Sequence, residues 1–79
     1  MVTPESIKHN IEHGMATVHL RVSGDGRHFE VVVVSEEFTG KSRVQRHQRV
    51  YQTLGDRMRE EIHALSMKTF TPEEWESSR

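Results

Sequence analysis

Seventy-nine residues without a cysteine predict one small domain, spanning 1–79, that no disulfide staples and that cannot build a thiolate metal site by itself. No apolar run approaches the ~20 residues that cross a bilayer, and the N-terminus lacks a signal-peptide layout, so a cytoplasmic protein with no membrane partner is expected. The net charge of -1 excludes a molecule that is polycationic throughout; a nucleic-acid surface would need local clustering of cations.

The first predicted element is a helix opened by "TPES", with Thr3 as N-cap and Pro4 at the first helical position. Ile7 and Ile11 share a face, and Gly14 closes it. Residues 16–23, "ATVHLRVS", alternate: Val18, Leu20 and Val22 on one face, His19, Arg21 and Ser23 on the other. "GDGR" is a tight turn into a second strand over 28–35, "HFEVVVVS", whose four consecutive valines predict cover on both faces. A loop ends at Ser42, the N-cap of a long helix reaching about Ile62, with Val44, His47, Tyr51, Leu54 and Met58 along one stripe. Gly55 costs this helix ~1 kcal/mol relative to alanine and predicts a kink or a break into two helices.

Residues 63–70, "HALSMKTF", form the third strand. Thr71, Pro72 and Glu74 then repeat the helix-start device, and the short helix carries Trp75 back onto the core. The order α-β-β-α-α-β-α makes an α+β domain, with a three-stranded mixed sheet and helices packed on one face. Its expected core is Ile7, Ile11, Val18, Leu20, Val31, Val33, Val50, Leu54, Leu65 and Met67.

Catalytic motifs are absent from the sequence: there is no P-loop, G-x-S-x-G, H-E-x-x-H or G-x-G-x-x-G, and an enzyme is not expected. Arg43, Arg46 and Arg49 form a drifting positive stripe on the long helix. It could meet DNA or RNA phosphates or an acidic protein partner, although a solvated face balanced by Asp56, Glu60 and Glu61 is the commoner outcome for such a pattern. Six histidines accompany the missing cysteines. His47 shares the apolar stripe and is expected to be packed and hydrogen-bonded. His9 and His13 have chelating i,i+4 spacing but no evident third ligand, and are expected to face solvent. His28 ends the "GDGRH" turn. His63 shares a face with Leu65 and Met67 at the mouth of the third strand, where a structural histidine, a metal ligand and a proton carrier all remain open.

Three stretches in order carry a resemblance: "HF-V-VVS--F-G" from His28 to Gly40, "RHQRVY--L" from Arg46 to Leu54, and "IHALSMKTFTPEEW" from Ile62 to Trp75. Together they resemble the BolA family over nearly the whole chain after the first helix, and the short "SGDGRHF" hairpin is most similar to its compact IbaG-like branch. The resemblance implies the BolA variant of the type II KH fold, without the G-x-x-G loop by which KH modules clamp nucleic acid.

It also implies partnership with a monothiol (CGFS-type) glutaredoxin, in iron–sulfur and iron homeostasis. There a [2Fe–2S] cluster is shared with the glutaredoxin and glutathione, and none is expected on the isolated chain. Imidazole can replace thiolate on one iron, as in Rieske centres. His63 matches the family's C-terminal ligand histidine. The second ligand falls in the hairpin turn, where His28 is the first candidate and Asp25 the alternative. The family's other implied role is DNA-binding regulation of stress, envelope or morphology genes, which would use Arg43, Arg46, Arg49 and Lys68. A homodimer is compatible with either role.

Overall fold

The computed structural model describes residues 2–62 and 64–78. Helix α1 (Pro4–Gly14) begins in a reciprocal cap: the Thr3 hydroxyl accepts from Ser6 N–H at 3.1 Å, and Ser6 Oγ accepts from Thr3 N–H at 2.9 Å. Its Ile7 and Ile11 are fully buried. Strands β1 (His19–Gly24) and β2 (His28–Val34) pair antiparallel, with His19 opposite Val34 and Gly24 opposite Phe29. Gly24 is required there, because a Cβ would come within 2.5 Å of the Phe29 ring and 2.6 Å of the His28 carbonyl. A 3₁₀ turn (Glu36–Phe38) leads to α2 (Arg43–Glu61), whose first turn is capped reciprocally by Ser42 and Gln45.

Gly55 interrupts α2 at φ 78° and ψ 158°, the break expected from its place in the sequence. The crossover through α2 brings β3 (Ala64–Phe70) parallel to β2, giving a mixed sheet of order β1-β2-β3. Helix α3 (Pro72–Ser78) is the last described element, and Thr71 and Glu74 cap it through Thr71 N–H to Glu74 Oε1 (2.9 Å) and Glu74 N–H to Thr71 Oγ1 (3.2 Å).

The core lies between the sheet and the first two helices. Ile7, Ile11, Val31, Val33, Val50 and Leu54 occupy it as expected, joined by Val2, Met15, Phe29 and Phe38. Three expectations are corrected. Val18 has the right parity but stands ahead of β1, outside the paired strand, and is 62% exposed. Val44, the expected start of the α2 stripe, is 63% exposed; Val50 and Leu54 turn into the core instead.

The third correction concerns α3, which does not join α1 and α2 on their face of the sheet. Trp75 stacks on His19 (centroids 5.0 Å apart, planes 19° apart) and meets Phe70 at 5.4 Å. Strand alternation puts both partners on the opposite face, beside Val34 in the same row. Val34 is accordingly fully buried yet outside the main core cluster, so the valine run is covered from both sides.

Candidate functional site

Two regions of the molecule carry the residues that sequence patterns single out, one at each end of the sheet. The first is the turn between β1 and β2. Asp25 Oδ1 accepts hydrogen bonds from the N–H groups of Arg27 and His28, both at 2.9 Å, and Asp25 N–H donates to the His28 carbonyl at 3.2 Å. An aspartate that bonds the backbone ahead of it closes a turn by itself. These bonds, from His28 first and Arg27 second, hold the Asp25 carboxyl below the usual carboxylate range.

Its other oxygen lies 3.9 Å from His28 Nδ1, with the two side chains 72% and 75% exposed. Beside this turn β3 begins: His28 is in register with Ala64, whose N–H donates to the Arg27 carbonyl at 3.2 Å. His63, the residue before Ala64, lies outside the described residues.

The donor chemistry limits what this end can hold. There is no cysteine, and among the described residues no group of three or more His, Cys, Asp or Glu side chains could hold a metal ion. One exposed imidazole, His28, fits the role of a ligand contributed to a site whose remaining ligands come from elsewhere. Asp25 fits less well, since the turn already engages its carboxylate.

The second region is the N-terminal half of α2 with β3 and α3. Of the three arginines in the basic stripe, two are tied internally. Arg46 donates to both Glu74 carboxylate oxygens (Nη1 to Oε1 2.7 Å, Nη2 to Oε2 3.3 Å), to the Lys41 carbonyl (3.0 Å) and to that of Thr69 (3.4 Å). The Arg46 side chain is only 13% exposed. Arg46 first, and the Thr71 N–H second, hold the Glu74 carboxyl down at about 2.

Arg49 donates to Glu37 Oε1 (3.0 Å) and to the Gly14 carbonyl (2.9 Å), while Glu37 Oε2 accepts from Ala16 N–H (2.8 Å). This clamp fastens the end of α1 to α2, and the Ala16 bond, followed by Arg49, lowers the Glu37 carboxyl. Arg43 alone of the three arginines is exposed, as are Lys41 and Lys68. A groove of about 650 Å³ collects Lys41, Arg43, His47, Met67 and Lys68. His47 departs from expectation here: it packs, but its Nε2 is buried without a hydrogen-bond partner. Burial, followed by the Arg43 charge, lowers its pKa and keeps the ring neutral at pH 7. His9 and His13 face solvent as expected, their rings 4.0 Å apart.

The carboxylates that neutralise Arg46 and Arg49 escape a reading of the sequence. Glu74 is legible as a capping residue, but nothing local marks it as a partner 28 positions from Arg46.

Comparison with known proteins assigns this architecture. The family model described as "BolA-like protein" matches residues 1–74. The chain belongs to the BolA family. It is 45% identical over 60 residues to the DNA-binding transcriptional regulator BolA of Haemophilus influenzae, covering 76% of this chain and 58% of that protein. It therefore spans less than two thirds of that relative. It is 43% identical over 68 residues to the acid stress protein IbaG of Escherichia coli K12, covering 85% of this chain and 81% of that one. A BolA protein homologue from Coxiella burnetii has the same fold, with a TM-score of 0.79 and 46% identity, over 96% of this chain and 99% of that one.

Proposed function

We propose that this BolA-family protein is a non-enzymatic partner of a monothiol glutaredoxin, to which it lends histidine ligation for a [2Fe–2S] cluster shared with glutathione. The observation that supports it most is the register of His28 with Ala64, the residue that follows His63. His28 is exposed at the end of a turn whose backbone Asp25 holds in place. His63 is taken as one ligand and His28 as the second. When bound, a cluster with imidazole on one iron supplies electron transfer or iron–sulfur transfer at a potential set by that ligand. The protein's own part is to present imidazole ligands beside a turn that the Asp25 hydrogen bonds close. Because ligating imidazole must be neutral, the joint cluster is expected to weaken in acid.

The test is reconstitution of the cluster on an equimolar mixture with a monothiol glutaredoxin, read by visible absorption and circular dichroism. His63→Ala is expected to remove the mixed-ligand spectrum and keep the protein–protein complex. His28→Ala should weaken the spectrum more than Asp25→Ala does. A spectrum unchanged by His63→Ala would sink the proposal.

A second reading, DNA-binding regulation, draws on the description of the Haemophilus relative and on the exposed cations Lys41, Arg43 and Lys68 in one groove. The sheet-and-helix layout is read as KH-like, but without a G-x-x-G loop any nucleic acid would be held by these cations. Each phosphate contact removed, by Arg43→Ala or Lys68→Ala, should flatten the log–log salt dependence of duplex binding by about 0.9.

A further inference from the structure

The groove at the far end of β3 has features that neither cluster sharing nor phosphate binding uses. β3 pairs with β2 on one side only, and among the described residues no strand covers its other edge. Ala64 N–H donates to the Arg27 carbonyl, and the Phe70 carbonyl accepts from Ser35, so the even-numbered residues of β3 turn their backbone groups toward β2. By alternation Leu65, Met67 and Thr69 turn theirs outward, and the Thr69 carbonyl receives Arg46 from that side.

The outward edge at Met67 and Thr69 borders the 650 Å³ groove, across which stand Arg43 and His47 of α2. The only buried side-chain polar atom without a hydrogen-bond partner among the described residues is His47 Nε2, on the wall of this groove. Val44, three residues before His47 on the same helical face, is the exposed apolar side chain of α2. Lys41, Arg43 and Lys68 are exposed and form no ion pair among the described residues.

We propose that this groove docks an extended, acidic segment of a partner protein, which adds beside β3 as a fourth strand. An open strand edge presents both donors and acceptors, and a peptide backbone matches both at the spacing of a sheet. A phosphodiester backbone offers acceptors to the cations but leaves the Met67 carbonyl without a donor and Val44 uncovered. Acidic side chains of the added strand would meet Lys41, Arg43 and Lys68, and an apolar one would cover Val44. Three residue steps along β3, roughly 10 Å, separate Met67, the nearest lining residue of this groove, from Ala64. The groove's lining includes neither Asp25 nor His28, so the inference does not rest on the cluster-sharing role.

The experiment uses the full chain, isotopically labelled, and a short soluble peptide that alternates glutamate and valine. The expected result is a set of amide shifts confined to residues 65–70 and 41–47, with slowed hydrogen exchange at Met67 and Thr69. Affinity should fall about tenfold when Arg43→Glu and Lys68→Glu are combined, both positions being exposed, with the fold verified by circular dichroism. A matched peptide with proline at alternate positions, which cannot donate to the edge, should not bind. Equal binding of the proline peptide overturns strand addition, as does the absence of shifts at millimolar peptide. A short DNA duplex that shifts these amides where the peptide does not would assign the groove to nucleic acid and overturn the proposal.

Discussion

Replacing Arg49 by alanine separates a clamp from a phosphate contact. In the folded chain Arg49 makes two charge-assisted hydrogen bonds, to Glu37 Oε1 at 3.0 Å and to the Gly14 carbonyl at 2.9 Å. Such bonds contribute about 1.5–3 kcal/mol each when well buried, and fully exposed ion pairs about 1 kcal/mol or less. The Arg49 and Glu37 side chains are 26% and 32% exposed, between these limits. Together the two bonds are therefore worth about 2 kcal/mol.

For a domain of this size that loss lowers Tm by roughly 8–16 °C, measurable by circular dichroism during heating. The pH dependence supplies a second signature. The folded-state pKa of Glu37 lies below its ordinary 4.5, so the carboxylate's contribution is complete above that value and disappears as pH falls through the lowered one. The wild-type and Arg49→Ala stability curves should converge in acid. Arg49→Lys should rescue poorly, since one ammonium cannot reproduce the guanidinium fork. An unchanged Tm together with a DNA salt slope flattened by about 0.9 would refute the clamp and make Arg49 a phosphate ligand.

Glu74 is expected to titrate near 2 in a carbon-detected NMR titration, and Arg46→Ala should return it toward the ordinary glutamate range; a wild-type midpoint near 4.5 would contradict the Arg46 pairing. Gly55→Ala should destabilise by about 1–3 kcal/mol in urea unfolding through backbone strain alone, because φ 78° with ψ 158° is almost confined to glycine while open space surrounds its Cβ position. A neutral effect there would mean that α2 straightens at no cost.

The helix starts and the β1–β2 hairpin were legible because the interactions that set them are short. Thr3 with Ser6 and Thr71 with Glu74 bond across three residues, so the cap and its helix are written in adjacent letters. The alternation of β1 and the valine run of β2 likewise declared two strands and their faces, and Gly55 announced the break in α2. The resemblance across three stretches named the family that the comparisons then established.

What stayed hidden depends on which surfaces approach one another. Val18 has the periodicity of a core residue, yet it stands outside the paired strand, and periodicity alone does not report where pairing begins. The basic stripe of α2 is the same kind of case. Arg46 and Arg49 look alike in sequence to Arg43, and only the arrival of Glu74 from α3 and of Glu37 from the 3₁₀ turn converts them into clamps, leaving Arg43 at the surface.

Asp25 shows the boundary most sharply, because its turn-closing bonds are local but its value as a ligand depends on whether those bonds already engage it. Local hydrogen bonds and periodicity therefore determined the elements of this protein. Tertiary approach decided which charges are neutralised, which face α3 covers, and that His28 stands beside the start of β3: each follows from contacts between residues distant in the chain, whose meeting no local pattern encodes.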